Sequence, residues 1–191
     1  MEQSSSVRLP TTTIANANGV EYSLYHEKQS MQLCLLHTLN CLFQRKEFTK
    51  SDLDCIAENL YSSSTNWFNP HRSPFGFGNY DVNVLIAALE TRDFKVRWFD
   101  ARQSSSIINT TKVFGYIFNV PSRNAYIPFL NSRHWFTVRQ IADIGFFNFD
   151  SKLNEPEFIE DFVEFADRLL REGNQLMLVV QVENIHDIFL A

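Results

Sequence analysis

The hydrophobic period of this chain changes once, and that change limits the fold more than any single motif. Up to Leu89 the apolar residues recur at helical spacing, and from Phe94 they alternate or run together as strands do. Leu35, Leu39 and Leu42, with Leu36 and Phe43, make one helical stripe. Leu53, Ile56, Ala57 and Leu60 make a second, and Val82, Leu85, Ile86 and Leu89 a third. Thr49-Lys50-Ser51-Asp52 approximates a capping box and predicts a helix starting at Thr49. Asn79 or Asp81 is placed to cap the third helix.

In the second half, Phe94, Val96 and Trp98 alternate with Lys95 and Arg97, as in a half-buried strand. Val113 to Val120 reads as a central strand, and Pro121 to Ser132 as a loop. His134 to Ile141 predicts a strand with Phe146 to Asp150 as its partner, turning at Ala142 to Gly145. A last helix is expected from about Pro156 to Glu172, with Asn154 as N-cap and Gly173 at its C-terminal end. Leu176 to Val182 is expected to close the sheet. Helices first and strands later make an α+β fold, with N-terminal helices packed on a largely antiparallel sheet.

A chain of 191 residues is long enough for one domain with a sizeable core, and 18 phenylalanines make that core aromatic. Residues 1–20 are rich in Ser, Thr and Asn and read as a flexible leader. The domain is expected over 21–183, with 184–191 as a tail. The long segment 61–79 is turn chemistry that carries Trp67, Phe68, Phe75 and Phe77. These aromatics either fold inward or form a partner surface, and inward packing is the commoner outcome.

The net charge of −5 and the lack of a basic run argue against nucleic acid. No apolar run is long enough for a transmembrane segment, and Met1 to Ser6 lacks a signal-peptide core. The expected compartment is intracellular and cytoplasmic, with the nucleus open. Three reduced cysteines, Cys34, Cys41 and Cys55, show no zinc spacing.

The chemistry-bearing stretch runs from Tyr25 to Asn40. It puts Cys34 at a helix start, where unpaired N–H groups and the helix dipole favour a thiolate. Gln29 lies five residues earlier and is a candidate oxyanion donor. A nucleophilic thiol needs a base and a group to orient it. His134, at a strand start, is the best base, and Asp150 the best orienter. They are sixteen residues apart with a turn between. Directly opposite in a hairpin centred near Ala142, their Cβ atoms would be roughly 4.5–5.5 Å apart. Asn148, on the same face, is the reserve orienter. His37 shares the Cys34 helix and reads as a packed core histidine. The order Cys, His, carboxylate is papain-like, and it also fits transglutaminase-like and acetyltransferase-like enzymes.

Three segments resemble the motifs of one family. His26-Glu27-Lys28-Gln29, then Leu33-Cys34, then His37-x-Leu39-Asn40 with Leu42 and Gln44, resembles the first signature of the Josephin family. That family comprises papain-like deubiquitinating cysteine proteases. His134-Trp135-Phe136-Thr137-Val138-Arg139 and Phe147-Asn148-Phe149-Asp150-Ser151 resemble its other two catalytic segments. Asn69 to Ser73 and Gly78 to Val84 look like the short type rather than the longer ataxin type. Cys41 and Leu35-Leu36 depart from the family pattern on the core side of the helix.

The resemblance implies a papain-like Josephin fold and hydrolysis after the C-terminal glycine of ubiquitin through a thioester. It implies Cys34 as nucleophile, His134 as general base, Asp150 as its orienter and Gln29 in the oxyanion hole. It implies ubiquitin and ubiquitinated proteins as partners, and no metal or cofactor. The competing expectation is a ubiquitin-binding module with little or no turnover.

Overall fold

The run Leu176-Met177-Leu178-Val179-Val180 is buried at every position, and it divides the molecule into two apolar layers. Successive residues of a strand point to opposite faces. Leu176, Leu178 and Val180 therefore join one cluster, and Met177 and Val179 join the other. A continuous apolar run of this length is what a strand covered on both faces requires.

The computed structural model describes residues 10–61, 69–73, 78–123 and 131–190. Their elements run β1 (Thr11–Ala15), β2 (Glu21–Tyr25), α1 (Cys34–Phe43), α2 (Lys50–Leu60) and α3 (Val82–Glu90). There follow β3 (Phe94–Trp98), β4 (Gly115–Arg123), β5 (Asn131–Ile141), β6 (Gly145–Asn148), β7 (Glu157–Ile159), α4 (Phe162–Arg171) and β8 (Gln175–Gln181). Six strands form one antiparallel sheet in the order β3-β8-β4-β5-β6-β7. Helices α1, α2 and α3 pack with Ile117, Trp135, Met177 and Val179 on one face. Helix α4 packs Phe162, Ala166 and Leu170 against Phe118, Leu178 and Val180 on the other. The protein is α+β, as the change of period requires. None of the helices among the described residues is long and apolar enough to cross a membrane.

Local signals place several helix starts. Thr49 and Asp52 form a reciprocal capping box at α2, and Asp81 accepts from the N–H groups of Asn83 and Val84 at α3. The last helix starts later than expected. Asn154 and Pro156 do not begin it, and Glu157–Ile159 pairs with β6 as the edge strand β7. The cap is Asp161, whose side chain accepts from the N–H of Glu164. Asp161-Phe162-Val163-Glu164 is itself a capping pattern, closer to the apolar stripe that it serves.

Other expectations are corrected. The segment 1–20 is not wholly a leader, because Thr11–Ala15 pairs along its length with β2. Asn16 Oδ1 accepts from the N–H groups of Asn18 and Val20, and Gly19 takes a φ of +77°, which closes that hairpin. Residues 1–9 lie outside the described residues. The segment 184–191 is not a free tail. Ile188 is buried, Phe189 bridges to Ile108, and the Leu190 N–H donates to the Ile107 carbonyl.

Pro121 to Ser132 is not all loop, since β4 and β5 pair as far as Arg123 and Asn131. The stretch between them lies outside the described residues. So do Trp67, Phe68, Phe75 and Phe77, and the choice between their two readings stays with them. The expected last strand forms as β8, inserted between β3 and β4.

Candidate active site

Helix α1 starts at Cys34 and presents an open N-terminus. Its N-cap position is Leu33, which has no side-chain acceptor, and no acid lies in the first turn. The unpaired N–H groups at that end are thus left to whatever charge develops beside Cys34. The rest of the helix is anchored by its apolar stripe, with Leu35, Leu39 and Leu42 fully buried. At the far end Gln44 takes a left-handed conformation, and its side chain donates to the Cys41 carbonyl at 2.6 Å.

The start of α1 is set by a neighbouring glycine. Gly78 bridges to Gln32 with a φ of +99°, and the Asn79 N–H donates to the Gln32 carbonyl at 2.8 Å. A Cβ at Gly78 would lie 2.6 Å from that carbonyl oxygen. Both the backbone angle and the contact exclude a side chain. Gly78→Ala should lower stability by about 1–3 kcal/mol, read by urea unfolding, with a matching displacement of the Gln32–Cys34 amide signals.

His134 and Asp150 meet, though not as the hairpin reading places them. The β5–β6 ladder pairs Val138 with Asn148 and Ile141 with Gly145, and His134 lies opposite Val120 on β4 instead. Asp150 follows the end of β6, after the Phe149 N–H has bonded to the Thr137 carbonyl at 2.9 Å. From there its Oδ1 accepts from His134 Nε2 at 2.6 Å. The nearby Cys34 thiol also acts on the ring and favours its protonated form.

Burial pushes the His134 pKa down, but the bond to Asp150 and the nearby Cys34 thiol outweigh it and the pKa is raised. Asp150 is the mirror case. Burial pushes its pKa up, and the His134 bond more than reverses that. Asn148 does not orient the histidine. Its Oδ1 accepts from the Asp150 N–H at 3.0 Å and so fixes the carboxylate.

Gln29 is tied in by its backbone, whose N–H donates to the Ser151 carbonyl at 2.7 Å, directly after Asp150. Its side-chain amide donates to the Met31 carbonyl at 3.3 Å. Met31 itself adopts a φ of +52°, which turns the chain sharply into α1.

Two residues of the same lead-in were given no role in the sequence reading. His26 is buried, and its Nε2–H donates to the Asp150 carbonyl at 3.0 Å. Glu27 accepts from His37 Nδ1 at 2.6 Å, from Asn40 Nδ2 at 3.1 Å and from the Tyr25 hydroxyl. His37 Nε2 accepts from the Ser30 N–H at 3.2 Å, so the ring proton sits on Nδ1, towards Glu27. His37 is the core histidine expected, and its partners tie α1 to the lead-in. The lead-in has no apolar period, so its burial was not readable.

The other cysteines lack this setting. Burial pushes the Cys41 thiol up to about 12, and Cys55 is exposed on α2. Among the described residues no group of three His, Cys, Asp or Glu is placed to hold a metal ion.

Comparison with known proteins adds the lineage. The Josephin family matches residues 29–181. A Josephin-like protein of Drosophila melanogaster is 40% identical over 176 residues, covering 88% of this chain and 78% of its own length. Josephin-2 of Mus musculus is 41% identical over 172 residues, covering 86% of this chain and 89% of its own. Ataxin-3 of Homo sapiens is 29% identical over 171 residues, covering 82% of this chain but only 45% of its own. Matched over most of its length by the family and by two relatives of similar extent, the chain belongs to the Josephin family.

Proposed function

We propose that this protein is a deubiquitinating cysteine protease that cuts isopeptide or peptide bonds after the C-terminal glycine of ubiquitin. The observation that carries the reading is the His134 imidazole, held by Asp150 at 2.6 Å and coupled electrostatically to the Cys34 thiol. A thiol at an uncapped helix start, a base beside it and a carboxylate behind the base suffice for acyl transfer. Family membership supports ubiquitin as the acyl donor.

In this reading the Cys34 thiolate attacks the glycine carbonyl. The Cys34 N–H, the open turn of α1 and the Gln29 amide face the oxyanion, once Gln29 leaves the Met31 carbonyl. Protonated His134 delivers its proton to the departing lysine amine. It then takes a proton from water, which hydrolyses the thioester and frees Cys34. Asp150 keeps the ring oriented throughout and offsets its positive charge.

An electrophilic ubiquitin probe tests the proposal. Labelling at Cys34, together with hydrolysis of a ubiquitin isopeptide substrate, supports it. Ubiquitin binding with neither would favour a binding module. Hydrolysis of simple thioesters with no response to ubiquitin would favour a different acyl acceptor.

The His37 pair supplies a second test. His37→Asn keeps a donor for Glu27 but gives Ser30 no acceptor, whereas His37→Gln supplies an acceptor at the Nε2 position. Loss of the Ser30 bond frees the segment that holds Gln29. His37→Asn should lower kcat by about 10-fold with KM little changed, and His37→Gln should recover part of it. Steady-state kinetics on a fluorogenic ubiquitin substrate reads both.

A further inference from the structure

A cavity of about 390 Å³ opens away from Cys34, between the segment before β4, the end of β5 and the segment after β8. Its lining includes Thr110, Thr111, Lys112, Arg139, Gln140 and Asn184. The full lining holds two cations and no carboxylate. In a chain of net charge −5, that is a local reversal of sign.

Arg139 is poorly neutralised. Its guanidinium carbon lies 4.0 Å from the centre of the Phe114 ring, and Nη1 donates to the Leu42 carbonyl at 2.9 Å. Nε is buried without a partner. Burial pushes its pKa down to about 10, and no acidic group offsets this. Neither Arg139 nor half-buried Lys112 has an ion-pair partner among the described residues. A buried charge without a counter-charge is costly, and a guanidinium fork matches a tetrahedral oxyanion through two parallel bonds. The hydroxyl and amide side chains around it are neutral groups suited to the remaining oxygens.

We propose that this cavity binds the phosphate group of a small phosphorylated molecule, with Arg139 and Lys112 as its counter-charges. Two cations favour a dianion over a monovalent carboxylate, and the volume exceeds that of one phosphate group. The site also has a mechanical link to α1. The guanidinium that would meet the anion holds the Leu42 carbonyl, in the last turn of the helix that begins at Cys34. Occupancy therefore stabilises the far end of α1.

The test uses the full chain and inorganic pyrophosphate, titrated by calorimetry and by thermal unfolding at constant ionic strength. The expected result is one saturable site with a rise in Tm of about 5 °C at high occupancy. Arg139→Gln would weaken the fold as well as the site, so the decisive variant is Lys112→Glu, which lies outside the catalytic machinery. It should weaken pyrophosphate binding at least about 10-fold while leaving Tm and hydrolysis without pyrophosphate unchanged. Absence of a saturable site, or equal affinity in Lys112→Glu, would overturn the proposal. So would acetate binding as tightly as pyrophosphate, because the site would then not select phosphate. None of these readouts requires the protein to cleave ubiquitin, so failure here and failure of the deubiquitinase reading are separate results.

Discussion

Cys34→Ala should abolish cleavage of a ubiquitin isopeptide bond, lowering kcat by at least about 10⁴-fold, while the fold survives. The two halves of this expectation have different origins. Chemically, no other thiol can substitute. Cys41 is buried and held protonated by its surroundings, and Cys55 is exposed on a different helix. Structurally, Cys34 is buried in the cluster that includes α1, and the change removes a single sulfur from it. That costs about 1 kcal/mol, a Tm shift of about 2–4 °C for a chain of this size. Mass spectrometry of the probe-treated variant, beside its melting curve, checks both halves. Wild-type turnover in a folded Cys34→Ala protein would sink the assignment of the nucleophile.

The second large effect belongs to Asp150. Asp150→Ala should lower kcat by about 10²–10⁴-fold with a smaller change in KM, because the imidazole loses both its orientation and its counter-charge. Asp150→Asn separates the two losses, since it keeps a hydrogen-bond acceptor and removes the charge. Its signature is in the pH profile. The carboxylate raises the His134 pKa in the folded protein, so it supports the imidazolium to higher pH. Without it, the alkaline limb of kcat against pH should move to lower pH. A profile unchanged on that limb would mean that Asp150 does not act through His134.

The same pair has a stability consequence with a defined sign. Seen from the histidine, whose folded pKa is raised, the contribution is complete below its unfolded value of 6.5. It is lost as pH rises through the folded value. Seen from the aspartate, whose folded pKa is lowered, the contribution is present above its unfolded value of 3.8. It is lost as pH falls through the folded value. The pair therefore stabilises the fold most between those limits.

What could be read in advance was local. The caps at Thr49 and Asp81, the stripe of α1 and the apolar run of β8 depend on neighbours within a turn or a strand. Short-range hydrogen bonds and side-chain periodicity act there regardless of the rest of the chain. The start of α4 was missed for a related reason. Asn154 and Asp161 both carry capping chemistry, and pairing of Glu157–Ile159 with β6 removed the first from competition. Likewise, Thr11-Thr12-Thr13-Ile14 is β-branched throughout, yet only its partner β2 makes it a strand.

The stretch around Cys34 shows the same division at the site itself. The sequence by itself determined that a cysteine opens an apolar helix and that a histidine and an aspartate belong to two neighbouring extended segments. Tertiary structure alone decided how they meet. The β5–β6 register is set where Val138 lies against Asn148, by pairing that neither strand encodes on its own. It placed Asp150 beyond the ladder, where His26, Asn148 and the Gln29–Ser151 bond hold it against His134. The His26 and Gln29 contacts join segments more than 100 residues apart. They form only once burial has removed the competing water, which no local pattern records.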